Sequence, residues 1–281
     1  MERYGKCLFC KRLIIMNKIS LVINTLNEEV NIRECIESAK YLVDEIIVCD
    51  MYSHDKTVEI AKSLNAKVFF HDRTGFVEPA RYFAISQATC EWVLVLDADE
   101  RMTEKLGNKI KEIVTINHND LILFGSLNNY FGAYVKYGGF YGIEAPKFFK
   151  KYIYISTFND SELMIHANFS AVKKNAKNKI QLDDEYYILH NAYPTIEKYI
   201  NKTVGVYARI EAEEMVKRGH KFHLFKLVYE PIKTFFGRYI IRQGFRNGIR
   251  GLILCYFYAS YRFSIWANIW FIEDQKTKNQ Q

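Results

Sequence analysis

Proline is scarce, with four in 281 residues, and no internal repeat or low-complexity segment interrupts the chain. A repeat array or a proline-rich linker is therefore excluded. The six cysteines (Cys7, Cys10, Cys35, Cys49, Cys90 and Cys255) follow no disulfide framework, and three of them, Cys35, Cys49 and Cys90, fall inside apolar runs. Reduced thiols in a cytosolic setting fit that spacing. Cys7-x-x-Cys10 is half of a zinc motif, and no second pair with ligand spacing follows. Glycine is missing where two function classes need it. The first apolar run leads into Asn24-Thr25-Leu26-Asn27-Glu28, which excludes the Gly-x-Gly-x-x-Gly turn of a dehydrogenase. The glycine-rich, basic phosphate loop of a sugar-phosphate nucleotidyltransferase is absent from the same place. The N-terminus is only briefly apolar, Leu13 to Met16, and makes a poor signal peptide. Residues 1–17 read as a lead-in.

Acid is missing from one stretch. Between Lys217 and Arg250 stand nine Lys or Arg and a single acid, Glu230. That stretch carries +8, whereas the whole chain carries +7, so the remainder is at −1. A local basic patch attracts a polyanion, either anionic lipid or nucleic acid. Bulky aliphatics interleave these charges and no nucleic-acid-binding motif accompanies them, so nucleic acid is not the expected partner.

What is abundant is aromatic: 20 Tyr and 20 Phe, many of them in the last third. Ahead of that region, short apolar runs alternate with helical spacing. Strands are predicted at 19–24, 45–49, 67–70 and 92–96. Helices are predicted at about 27–41, 56–64 (capped by Asp55), 77–88 and from Thr103 to about 116. Four such alternations with short connections predict an α/β fold with a mostly parallel sheet covered on both faces. Further strand-like runs lie at 121–124, 147–149, 153–155 and 186–189, and helical spacing returns at 195–217.

Ligands of such sheets bind beyond the carboxyl ends of the strands. Thr25, Asn27 and Glu28 follow the first strand, Asp50 ends the second, and Asp97-Ala98-Asp99 ends the fourth. Two carboxylates one residue apart offer hard oxygens suited to Mg²⁺ or Mn²⁺ bridging a diphosphate. A lone Asp-x-Asp reads equally as a turn with helix-capping acids. Delivery by the buried run Trp92–Leu96, with Asp50 ending a neighbouring strand, favours the ligand site. Asp50 is placed to accept from a base N–H or a ribose hydroxyl.

In the tail, Arg238, Arg242, Arg246 and Arg250 recur every four residues, which on a helix makes one slowly turning stripe. Gly237, Gly244, Gly248 and Gly251 predict breaks. Residues 252–272 have about the ~20-residue length of a membrane span. Arg262 at their centre and the scattered Tyr and Trp favour an in-plane or re-entrant contact instead. Packing of this tail onto the rest of the chain is the alternative.

Four pieces taken together resemble glycosyltransferase family 2, of the GT-A fold. They are Ile19-Ser-Leu-Val-Ile-Asn-Thr-Leu-Asn-Glu28, Cys49-Asp50-x-x-Ser53-x-Asp55-x-Thr57, Ala80-Arg81-x-x-Ala84 and Leu96-Asp97-Ala98-Asp99-Glu100-Arg101. Within it, the chain is most similar to the bacterial lipopolysaccharide-core glucosyltransferase-like proteins, where an Asp-Ala-Asp-Glu-Arg run and a basic, aromatic tail occur together. The resemblance implies a GT-A catalytic domain at 18–194 with a Rossmann-like nucleotide-binding sheet, and a helical, membrane-associating tail at 195–281. It implies that Thr25, Asn27, Glu28 and Asp50 hold the nucleoside, usually uridine, with Ala98 beside the donor. Arg81 approaches the diphosphate or acceptor. Asp99 binds Mn²⁺ or Mg²⁺ together with Asp97, which also stands near the sugar and ribose, and His190 assists the metal or is a buried structural histidine. The base would be Glu162, with Asp160 as the alternative, although the His that usually precedes it is replaced by Ser161. Three further departures are Asn24 in place of Pro, Tyr82 in place of Asn, and Lys147 in place of Arg. The implied activity is an inverting transfer from a nucleotide-sugar to a cell-envelope glycan or lipid-linked acceptor. It would take place at the cytoplasmic face of the inner or plasma membrane, with 217–272 on its anionic surface. The rival reading is a non-catalytic, membrane-peripheral binding protein of the same fold.

Overall fold

In the computed structural model, residues 18–73, 78–143, 146–156 and 172–278 are described. The predicted alternation appears as β1 (Ile19–Thr25), α1 (Ile32–Ala39), β2 (Glu45–Asp50), α2 (Thr57–Ser63), β3 (Lys67–Phe70), α3 (Glu78–Gln87) and β4 (Trp92–Asp97). There follow β5 (Glu100–Met102), α4 (Glu104–Ile116), β6 (Leu121–Leu123), β7 (Gly125–Tyr130), β8 (Ala133–Val135), β9 (Gly142–Ile143), β10 (Phe148–Lys150), α5 (Lys151–Ile155), β11 (Lys179–Gln181) and β12 (Tyr187–Tyr193).

The main sheet has the order β11-β6-β10-β4-β1-β2-β3. Strands β4, β1, β2 and β3 are mutually parallel, and β10 runs antiparallel between β4 and β6. Its two faces are both apolar, as a sheet covered on each side requires. Leu21 and Ile23 pack with Ile32 and Ile36 of α1, while Val22 packs with Ala80, Ala84 and Ile85 of α3. Each buried aliphatic of this kind stabilises by about 1.5–3 kcal/mol. A second sheet, β5-β12-β7-β8 with β9 on β7, stands beside it.

Two local expectations change and a third holds. Helix α1 begins at Ile32, because Asn27 takes a left-handed φ of 55° and residues 27–31 turn instead of coiling. The apolar run at 153–155, predicted as strand, is helical in α5; Ile153 and Tyr154 are buried in the α3-side core, and so short a run carries no period to choose between the two. Thr103 does cap α4, its hydroxyl accepting from the Leu106 N–H at 3.4 Å.

Past β12 the chain is helical: α6 (Ile196–Tyr199), a π-helical stretch (Ile200–Tyr207), α7 (Ala208–Lys217), α8 (Leu224–Phe236), a π turn (Gly237–Ile241), a 3-10 turn (Gly244–Asn247) and α9 (Gly248–Lys278). The stripe of four arginines does not form. The chain reverses between Gln243 and Gly248, at φ 57° and 62°, and the arginines turn toward the 131–139 loop. Arg238 donates to the Gly138 carbonyl at 2.8 Å, Arg250 donates to the Phe131 carbonyl at 3.0 Å, and Arg246 lies over the Tyr137 ring. A Cβ on Gly251 would meet the Gly244 carbonyl oxygen at 2.0 Å, so glycine here permits backbone contact as well as the break. Run 252–272 packs by Leu254, Cys255, Ile265, Trp266 and Ile269 against the second sheet and α7. Arg262 pairs with Glu211 at 3.1 Å and Glu230 at 3.6 Å. Among the described residues, no helix is long and apolar enough to cross a membrane.

Candidate active site

Register brings the candidate residues together. Thr25 at the end of β1 pairs with Asp50 of β2, and Asn24 pairs with Asp97 of β4. This is the point where the strand order reverses, and a crevice opens there in sheets of this kind. Both polar atoms of the Asn24 amide and the Thr25 hydroxyl are buried without a hydrogen-bond partner. An orphaned buried polar group costs about 1–3 kcal/mol, so the end of β1 carries unmet hydrogen-bonding capacity.

The loops after β1 and β2 are laced to each other. Asp50 accepts from the Ser53 N–H at 2.7 Å and from its hydroxyl at 2.5 Å. The Asn27 N–H donates to the Ser53 hydroxyl at 2.8 Å, and the Asn27 side-chain oxygen accepts from the His54 N–H at 2.8 Å. The Glu28 N–H reaches the Thr57 hydroxyl at 2.8 Å, and the Glu29 N–H reaches Asp55 at 3.0 Å. Ser53, Asp55 and Thr57 thus brace the crevice wall. The Asn27 side chain is engaged in that brace, and the Glu28 carboxylate accepts from Asn31 at 2.6 Å.

Each residue of Asp97–Arg101 has a separate task. Asp97 lies between two cations, Arg81 of α3 at 3.2 Å and Lys147 at 3.1 Å. Burial would raise its carboxyl pKa, but the charges of Lys147 and Arg81 outweigh that and hold it well below the usual carboxylate range. Ala98 is buried. Glu100 is fully buried, pairs with Lys147 at 2.7 Å and accepts from the Asp97 N–H at 2.8 Å. Arg101 donates to the Ala98 and Glu100 carbonyls at 2.8 and 2.9 Å, which holds the turn. Asp99 is left facing His190, with Oδ1 3.5 Å from Nε2. His190 Nδ1 is 2.8 Å from the Asn128 side-chain oxygen, which orients the ring.

Among the described residues, no three metal-binding side chains converge. Glu162 and Asp160 lie outside the described residues. The sequence reading missed the structural roles of Glu100, Lys147 and Asn128. Glu100 adjoins the acidic pair, and Lys147 stands where the resemblance expects an arginine, so both carried a signal; Asn128 carried none.

Residues 20–176 match the family model described as glycosyl transferase family 2. An uncharacterized glycosyltransferase of Rickettsia typhi is 32% identical over 254 residues, covering 88% of this chain and 85% of that protein. Another, of Rickettsia prowazekii, is 30% identical over 258 residues, with coverage of 88% and 85%. Among solved structures, S. aureus TarS 1–349 in complex with UDP shares the fold at a TM-score of 0.52 and 17% identity, covering 88% of this chain and 90% of that one. The mannosyltransferase PcManGT from Pyrobaculum calidifontis, in complex with GDP-Man and Mn²⁺, does so at 0.54 and 12% identity, covering 90% and 87%. The family model spans more than half of the chain and the relatives span most of it, with the strand ends built as described: this protein belongs to glycosyltransferase family 2.

Proposed function

We propose that this glycosyltransferase takes a sugar from a nucleotide-sugar, read as a UDP-sugar, and passes it with inversion to a cell-envelope glycan or lipid-linked acceptor. The observation that carries the donor half is the convergence of Asn24, Thr25, Asp50, Asp97 and Asp99 at adjoining strand ends, where the Asn24 amide and Thr25 hydroxyl are buried without a hydrogen-bond partner. That TarS was solved with UDP and with UDP-GlcNAc, and PcManGT with GDP-Man, supports the reading.

Asp99 and His190 would hold Mn²⁺ or Mg²⁺. Two protein ligands suit such an ion, which keeps several waters and takes the rest of its shell from substrate phosphates. When bound, the cation supplies neutralising charge to the departing diphosphate. Asp97, kept ionised by Lys147 and Arg81, presents a fixed acceptor to a ribose or sugar hydroxyl. Arg81 and Lys147 set positive charge beside the diphosphate. Glu162, or Asp160, would take the proton of the acceptor hydroxyl; a single base opposite the leaving group gives inversion.

Helix α8 supports a membrane location, which we read as the cytoplasmic face. None of its residues is buried, and Leu224, Phe225, Val228, Ile232 and Phe236 are all more than half exposed. Lys226 and Lys233 accompany them. An exposed apolar face flanked by cations suits the interface of an anionic bilayer.

The test is thermal unfolding with UDP or GDP, each with and without Mn²⁺. A ligand at about 100 times its Kd stabilises by about 2.7 kcal/mol. A Mn²⁺-dependent rise with UDP, lost in Asp99→Ala, is expected. A folded protein that responds to neither nucleotide would leave the non-catalytic reading standing.

A further inference from the structure

The helical layer that follows β12 returns one cation toward the strand ends. Thr195 caps α6, its hydroxyl accepting from the Lys198 N–H at 3.1 Å, and the chain then widens into the π-helical stretch Ile200–Tyr207. Coils of this kind are rare and are frequent at functional sites. Lys202 lies within it. Its Nζ is 5.6 Å from the centre of the Tyr207 ring and 6.0 Å from that of Tyr193, which stands three residues beyond His190 on β12. Both distances are within reach of a cation–π attraction. The surroundings are fixed: buried Thr203 donates to the Tyr193 hydroxyl at 3.0 Å, and buried Tyr199 packs edge-on against the Tyr193 ring at 4.8 Å.

Charge gives this lysine its direction. Burial lowers the Lys202 pKa, but Tyr207, Tyr193 and the Asp99 carboxylate together raise it above the ordinary lysine value. The Asp99 charge is felt at Tyr193 as well. Lys202 and Asp99 therefore share one neighbourhood, although they lie far apart in sequence. The other cations at these strand ends are engaged. Arg81 is held by Asp97, Lys147 by Asp97 and Glu100, and Arg101 by the Ala98 and Glu100 carbonyls. Lys202 forms no ion pair among the described residues. Its ammonium keeps its charge for an anion that enters beside Asp99 and His190.

We propose that Lys202, reaching in from the helical layer, binds the β-phosphate of the nucleoside diphosphate on the Asp99 and His190 side of the crevice. The inference rests on the donor reading above. Lysine suits the place, because a compact charge on a flexible four-carbon stem can follow a phosphate oxygen that moves. Arg81 and Lys147 are fixed in the catalytic half, whereas Lys202 belongs to the layer beyond β12, so the anion is met from two sides. A purely structural Lys202 would only tie β12 to the π-helical stretch through its two rings. Its loss would then weaken the fold and not one phosphate contact.

The test compares nucleoside diphosphates with monophosphates, which lack the β-phosphate. Thermal titrations of the parent protein and of Lys202→Met would use UDP, UMP, GDP and GMP, with Mn²⁺ present. The parent should bind the diphosphate of one base more tightly than its monophosphate. In Lys202→Met that diphosphate should bind roughly tenfold more weakly, while the monophosphate binds as before and the ligand-free midpoint stays in place. Lys202→Arg should recover most of the lost affinity, because the charge returns. Should Lys202→Met not fold, Lys202→Gln reads the same contact. Undiminished diphosphate affinity in the folded variant overturns the proposal and leaves the donor reading intact. An equal loss for both nucleotides does the same and assigns Lys202 to the fold. A parent that binds monophosphate as tightly as diphosphate removes the β-phosphate contact altogether. A parent that no nucleotide stabilises sinks the donor reading, and the proposal with it.

Discussion

Around β4 the charged side chains answer one another: Asp97 and Glu100 face Lys147, and Arg81 closes the other side of Asp97. Along α8 the cations lie over aromatic rings, Lys226 over Trp266 and Lys233 over Tyr229, while the neighbouring apolar side chains face outward. The first arrangement fixes geometry at a cost in desolvation, so no member can be removed alone. The second tolerates single changes, because its apolar side chains are exposed and make few contacts that a substitution would lose.

The largest effect of a single substitution is expected at Asp99. Asp99→Asn should lower sugar transfer by roughly 10³-fold or more while stability stays within about 0.5 kcal/mol. Assaying nucleoside diphosphate release beside a thermal melt checks both, and a loss under about tenfold would move the chemistry away from the end of β4.

Next in size is Lys147→Met. It removes the ion-pair partner of buried Glu100 and one of the two cations on Asp97, which keeps Arg81, and should cost roughly 3–5 kcal/mol in denaturant unfolding. Adding Glu100→Leu should recover part of that loss. Recovery of none would mean that the pair is not coupled.

A second buried carboxylate sharpens the point by pH. Glu45 accepts from Ser20, Thr89 and Lys67 at 2.6 to 3.1 Å. Burial opposes its ionisation, but these bonds, that from Lys67 first, lower its pKa from 4.5 to about 2. Because the folded value is depressed, the stability it contributes is present above pH 4.5 and disappears as pH falls through about 2. The gap between the parent protein and Glu45→Gln should be up to roughly 3 kcal/mol near neutrality. It should close across that window, and a pH-independent gap would refute the assignment.

The smallest effect on the fold is expected at α8. Phe225→Ser with Ile232→Ser should change stability by less than about 0.5 kcal/mol. The same variant should weaken sedimentation with phosphatidylglycerol vesicles by at least roughly tenfold. Equal sedimentation would assign this face to another partner.

Much of the catalytic half was legible because its signals are local. Apolar runs of strand length and caps such as Thr103 mark the βα units, and the strand-end rule then points to Asp50, Asp97 and Asp99. The tail was legible in composition but not in arrangement. Its four arginines have helical spacing, yet left-handed backbone at Gln243 and a reversal at Gly248 send them to the 131–139 loop. Spacing says nothing about which neighbour a side chain meets once a helix breaks.

The order of apolar and polar residues by itself determined four parallel strands and which residues end them. Only the tertiary structure decided that Asp97 would be clamped and Asp99 left to face His190. Strand β10, antiparallel beside β4, carries Lys147 across 50 residues of sequence to Asp97. Strand β12, antiparallel to β5, sets His190 opposite Glu100 and beside Asp99. Those pairings follow from long-range sheet order, which is settled by the burial of whole faces, and a local pattern cannot encode it.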